Sequence, residues 1–175
     1  IGDSLSMQSR LADWAKKNGI KIAYNVSSYL TKNADAMVKN ILRKADILVL
    51  NDSEALDLVP RGNLFEGLHK LGPKVVCVTY GMEGNKVSYG KIIYSAKPHN
   101  IKAVERTGAG DAFASGFVSA FIKYGDVKKG IEYGTTNAES IIQSIGAKNG
   151  LLSEREILRE LKKRPVKILK HFVNE

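Results

Sequence analysis

Residues 105–117 read ERTGAGDAFASGF, a turn of small residues with one carboxylate, Asp111, set behind it. Thr107, Gly108, Ala109 and Gly110 carry almost no side-chain bulk, so a backbone built from them can approach a ligand closely. The residues that follow place Phe113, Phe117, Phe121 and Tyr124 at helical spacing. That stripe is a packing face, and it puts the start of a helix inside the glycine turn. Unpaired N–H groups and the helix dipole make such a start an anion site, with phosphate as its natural occupant. Asp111 then fits two roles. An acid in a first helical turn is a common decoration that stabilises by about 0.3–1 kcal/mol. It can equally face the anion as a general base, taking the proton from a hydroxyl that attacks a phosphoryl group.

Other glycine motifs fit this stretch less well. A dinucleotide fingerprint would need glycine at position 113, which is Phe, and no Gly-Lys-Ser/Thr tripeptide of a P-loop occurs.

The elements that must position these residues follow from hydrophobic period. MQSRLADWAKKNGI reads as a helix that stops at Gly19, and IKIAYNV as a strand. NADAMVKNILRKA is helical and DILVLN is a short buried strand. SEALDLV and NLFEGLHKL are helical pieces parted by Pro60 and Gly62, and KVVCVTY is a third strand. NKVSYG and KIIYSAK meet at Tyr89-Gly90-Lys91 as a hairpin, and IKAVE leads into the glycine turn. Helices are expected over roughly 110–124, 127–145 and 153–163. Strands alternating with helices predict an α/β fold with a parallel sheet and crossover helices. The near-continuous apolar runs ILVL and VVCV suit strands covered on both faces.

With these elements in place, ERTGAGD resembles the second signature of the ribokinase-like (PfkB) carbohydrate kinases, D-T-T-G-A-G-D. Two more pieces follow the family's order. Asn51-Asp52-Ser53-Glu54, ending the second strand, resembles its N-x-x-E motif. Val78-Thr79-Tyr80-Gly81-Met82-Glu83-Gly84, ending the third, resembles V-T-x-G-x-x-G. Both stand at carboxyl ends of strands, where open α/β sheets bind ligands. NAESIIQSIGAKNGLL is similar to the helix and loop that close the family's nucleotide pocket.

The resemblance implies a three-layer sandwich with a mostly parallel sheet, and ATP-dependent phosphorylation of a sugar or nucleoside hydroxyl. It makes Asp111 the catalytic base and the backbone of Gly108, Ala109 and Gly110 an anion hole. Asn51 and Glu54 would organise Mg2+, mostly through water, on the nucleotide phosphates. Thr79, Gly81 and Gly84 would line the phosphate and ribose side, with Asn137 near the adenine. Without the resemblance, Asn51 and Glu54 read as a helix cap followed by a solvated acid, and Gly81 and Gly84 as a plain turn. Glu105 and Arg106 stand where the family usually has Asp and Thr, and that Asp helps to hold a monovalent cation in relatives. Dependence on such a cation is therefore left open. The resemblance covers only the second half of the family's pattern, so residues 1–175 read as one α/β domain, a C-terminal nucleotide-binding half whose N-terminal part is absent.

Composition narrows the alternatives. The chain of 175 residues is long enough for one sizeable core. Its 27 basic and 18 acidic residues give a net charge of +9. The positives are spread along the chain, without aromatic–basic repeats, so this is mostly solvated surface and a nucleic-acid partner is not expected. No membrane span is expected, and with one cysteine, Cys77, in an apolar run, a reducing cytoplasm is the simplest setting. Gly2-Asp3-Ser4-Leu5 spells the motif of the GDSL serine hydrolases, but none of His69, His99 and His171 has Asp three residues before it. The histidines suggest no metal cluster. An exposed apolar strand at the sheet edge would favour a homo-oligomer.

Overall fold

Short apolar strands and capped helices alternate along the chain, and most helix starts have an identifiable cause. The computed structural model describes residues 2–172. They fall into two compact units, one running to Thr79 and taking in Ser88–Gly90, the other holding Tyr80–Val87 and the chain from Lys91.

The first unit opens with α1 (Gly2–Lys17), which buries Leu5, Ala12 and Ala15, and Gly19 ends the turn beyond it. β1 (Ala23–Asn25) covers three residues of the predicted seven-residue strand. An unforeseen short helix, α2 (Ser28–Lys32), follows it. α3 (Ala36–Lys44) begins where the Asp35 carboxylate accepts the amides of Met37 and Val38 at 2.8 and 3.0 Å. β2 (Ile47–Asn51) and β3 (Val75–Thr79) are buried over their first four residues, as strands covered on both faces must be. α4 (Asp52–Leu58) and α5 (Leu64–Lys70) lie between them.

β1, β2 and β3 are parallel neighbours in that order. The β2–β3 register pairs Leu48 with Val76, Val49 with Cys77 and Asn51 with Thr79. The core of this unit is Val38, Ile41, Leu42, the two apolar strands, Phe65 and Leu68. Burial raises the Cys77 thiol well above its ordinary pKa, which leaves it inert. β1 is the edge strand, and Ala23 and Asn25 are exposed. At three residues it presents less edge than the predicted strand would.

β4 (Asn85–Tyr89) and β5 (Ile92–Ala96) flank the predicted hairpin turn. In the second unit β5 pairs antiparallel with β6 (Ile168–Phe172), a strand hidden in the sequence inside a lysine-rich tail. α6 (Ala109–Tyr124), α7 (Val127–Ile141) and α8 (Glu154–Lys163) complete the unit. α7 is one turn shorter than its periodicity predicts.

The aromatic stripe of α6 is real over three residues. Phe113 and Phe117 are buried, and the Phe113–Phe117 and Phe117–Phe121 rings stack at 6.0 and 5.8 Å. Tyr124 leaves it and joins Tyr133 and Glu154 in a hydroxyl–carboxylate cluster. α6 and α7 approach backbone to backbone: a methyl on Gly116 would lie 2.8 Å from the Tyr133 carbonyl oxygen. The fold is thus α/β with a mostly parallel sheet, as the alternation predicts.

Candidate functional site

In the first unit, the strand register brings Asn51 and Thr79 side by side at the carboxyl ends of β2 and β3. Asn51 caps α4. Its Oδ1 accepts the Glu54 amide at 2.8 Å, and the Glu54 carboxylate accepts the Asn51 amide at 2.9 Å. The cap reading of this motif is therefore correct, but the acid is not solvated. Glu54 is only 6% exposed, and its second oxygen accepts the Ser28 hydroxyl at 2.9 Å. Three residues on, Thr31 gives its hydroxyl to Asp57 at 2.9 Å, so α2 and α4 are stitched twice. Thr79 is half-buried, with its hydroxyl 3.5 Å from the Leu50 carbonyl oxygen.

Mg2+ takes six oxygens and keeps several waters, using one or two carboxylates and the substrate's phosphates. Among the described residues no three of His, Cys, Asp and Glu cluster as a metal site. One carboxylate whose oxygens already accept hydrogen bonds fits a hydrated ion held from outside its water shell, and does not fit a protein-built cage.

In the second unit, the turn after β3 closes by the Tyr80 amide donating to the Gly84 carbonyl at 2.8 Å. Gly84 has φ +99°, and a methyl there would lie 2.0 Å from the Ala96 carbonyl oxygen. Packing alone demands this glycine. Gly81 faces open space: a methyl there would have nothing within 4 Å, so its backbone is open to a ligand.

α6 starts inside the glycine turn, as its stripe predicts. Gly108 is the N-cap in the left-handed region at φ +83°, without a side-chain cap. The first helical bond is the Ala112 amide to the Gly108 carbonyl at 2.8 Å. Ala109 donates to Arg106 at 3.3 Å, so its amide is engaged in this conformation, whereas Gly110 stands in open space. Asp111 is exposed, at the third helical position.

Asn137 is buried and works at both ends. Its Nδ2 donates to the Ala112 carbonyl at 3.0 Å and its Oδ1 accepts the Leu152 amide at 3.0 Å. It therefore ties α7 to the first turn of α6 and to the segment entering α8. Glu105 accepts the Gly146 amide at 2.7 Å. Glu139, also buried, accepts the backbone and ring nitrogens of His99 at 2.7 and 3.1 Å. The Ser28, Glu105 and Glu139 partnerships span 26 to 41 residues, and no local spacing announces them.

Ser4 lies in the first turn of α1 and accepts from Gln8 at 3.3 Å. The histidines are bonded elsewhere: His69 to Ser88 and Pro73, His99 to Glu139, and His171 to Ser95. Nothing here supports a serine hydrolase. No helix among the described residues is long and apolar enough to cross a membrane.

The chain is 27% identical over 160 residues to a nucleoside kinase of Methanothermobacter thermautotrophicus, covering 88% of this chain and 50% of that protein. It is 30% identical over 145 residues to an ATP-dependent 6-phosphofructokinase of Thermoanaerobacterium thermosaccharolyticum, covering 78% and 45%. The structure of Arabidopsis thaliana ribokinase complexed with ribose and ATP superposes with a TM-score of 0.79 at 23% identity, covering 90% of this chain and 53% of that one. The chain thus spans about half the length of the curated relatives it matches. Residues 2–154 match the profile of the pfkB family carbohydrate kinases, and the chain belongs to that family.

Proposed function

We propose that this chain carries the nucleotide side and the proton acceptor of an ATP-dependent kinase for a sugar or nucleoside hydroxyl. The observation that carries the reading is the start of α6: a left-handed Gly108 with no side-chain cap, and Asp111 two residues beyond Ala109. A helix start stripped of side chains leaves backbone amides for an anion. The relatives named for ATP and for nucleoside and sugar substrates agree with that anion being the transferred phosphoryl.

In this reading Asp111 accepts the proton of the acceptor hydroxyl as its oxygen bonds to the γ-phosphorus. The bond from that phosphorus to the β,γ-bridging oxygen breaks, and ADP leaves. The Gly110 backbone, with Gly108 shaping the turn, stabilises charge on the phosphoryl oxygens. The Ala109 amide joins them once it releases the Arg106 carbonyl. Thr79, Gly81 and Gly84 serve the phosphate and ribose side, Gly81 by direct approach and Gly84 by holding the turn. Asn137 acts on the adenine side through the Leu152 segment that it anchors. Asn51 and Glu54 would hold Mg2+ through its water shell. When bound to the nucleotide, that ion neutralises phosphate charge.

ADP release measured across a panel of sugars and nucleosides tests the activity, and calorimetry of this chain tests its share. Mg-ADP binding without sugar binding is expected. Tight sugar binding without nucleotide binding would overturn the division.

A further inference from the structure

The loop 142–150 between α7 and α8 has little apolar anchorage, since Ile145 is 74% exposed. It is nevertheless held against the glycine turn. The amides of Val104 and Glu105 both donate to the Ile142 carbonyl, at 2.7 and 3.2 Å. The Glu105 carboxylate accepts the Gly146 amide at 2.7 Å and is also bonded by the Thr107 side chain. Between these ties, a methyl on Gly108 would lie 2.8 Å from the Ala147 carbonyl oxygen and 3.0 Å from its Cα. The loop therefore rests directly on the N-cap of α6.

We propose that Glu105 is a positioning residue: its carboxylate clamps the 142–150 loop onto Gly108 and so fixes the turn that presents backbone to the anion. The role toward the anion rests on the kinase reading above, while the clamp itself does not. The physical reason is geometric. Gly108 is free to leave its left-handed conformation unless something opposes it, and the loop backbone is what opposes it. Arg106 on the turn, Lys148 on the loop and Asp111 on α6 are the charged side chains of the segments that meet here.

The clamp carries a pH dependence of known sign. The Gly146 amide, then the Thr107 hydroxyl, hold the Glu105 carboxyl below its ordinary value of 4.5. A lowered carboxyl pKa means that the closed loop favours the ionised form. The charge-assisted part of the tie is therefore fully present above the ordinary value and is lost as pH falls through the lowered one.

The test is heteronuclear NMR and nucleotide binding on the full chain. The Gly146 amide proton should titrate in the acid range with Glu105. Glu105→Gln keeps an oxygen acceptor, so the loop should stay closed while that titration vanishes. Glu105→Ala should raise amide exchange over 142–150 and 107–111, leave the α7 interior as protected as before, and weaken Mg-ADP binding about fivefold. A Gly146 amide that does not titrate, or unchanged loop exchange in Glu105→Ala, would overturn the clamp. If Glu105→Ala does not fold, the wild-type titration and its loss in Glu105→Gln still decide. Absence of Mg-ADP binding by the wild-type chain would count against the kinase reading and leave the exchange result to judge the clamp.

Discussion

The Ser28 hydroxyl donates to Glu54 Oε1 at 2.9 Å, joining positions 26 residues apart and leaving a buried carboxylate with a hydrogen bond on each oxygen. Glu54→Ala should remove half of the α4 capping box and strand both donors. A loss of about 1–3 kcal/mol in urea denaturation is expected. Ser28→Ala should cost less, because the Asn51 amide still satisfies one oxygen. If Glu54 also acts on hydrated Mg2+, Glu54→Gln should raise the Mg2+ concentration needed for half-maximal activity, and Ser28→Ala should not.

Asn137→Ala should be among the more damaging single changes in the second unit. It removes one of two side-chain donors from the Ala112 carbonyl, which still accepts the Ser115 hydroxyl, and leaves the half-buried Leu152 amide without its acceptor. With about 1–3 kcal/mol for the amide left unmade and about 0.5–1.5 kcal/mol for the hydrogen bond lost at Ala112, a total of about 2–4 kcal/mol is expected. Thermal melting measures it. Asn137→Asp should cost at least as much, since it keeps the acceptor for Leu152 but sets a buried carboxylate oxygen against the Ala112 carbonyl oxygen.

What was legible in the sequence divides by the range of the forces involved. β2, β3 and α6 were legible because ILVL, VVCV and the phenylalanine stripe each encode burial within a few residues. The glycine turn was legible for the same reason, as was the α4 cap in Asn51 and Glu54. β6 was not, because KILKHF has neither a continuous apolar run nor a strict apolar–polar alternation and becomes a strand by pairing with β5. The burial of Glu54 and the double engagement of Asn137 were also hidden. Their partners, Ser28, Ala112 and Leu152, are supplied by tertiary structure, and the identity of a polar residue does not say whom it will meet.

Gly81 and Gly84 look alike in the V-T-x-G-x-x-G stretch, yet they should respond differently to alanine. Gly81→Ala meets nothing within 4 Å and carries only the cost of the left-handed conformation, about 1–2 kcal/mol. Gly84→Ala adds a clash of 2.0 Å with backbone, which cannot swing aside. Its destabilisation should clearly exceed that of Gly81→Ala in the same melting experiment. Nucleotide affinity should instead be the more sensitive readout for Gly81→Ala if Gly81 serves the phosphate side as proposed, because the methyl would occupy the open space in front of its backbone. Equal stability losses for the two variants would contradict this assignment.

The proposed chemistry turns on Asp111, and its two candidate roles are distinguishable by experiment. As a helix-start carboxylate it contributes about 0.3–1 kcal/mol to stability and nothing to turnover. As a general base it contributes on the order of 10²–10⁴-fold to the rate. Asp111→Asn keeps the size and most of the capping capacity while removing the basic oxygen. In an active preparation it should lower kcat by at least about 10²-fold, with Mg-nucleotide affinity largely retained. The melting temperature should move little, which separates lost chemistry from lost folding. The opposite pattern, near-wild-type kcat with a small loss of stability, would return Asp111 to the helix start alone. The proton would then have to leave the acceptor hydroxyl by another route.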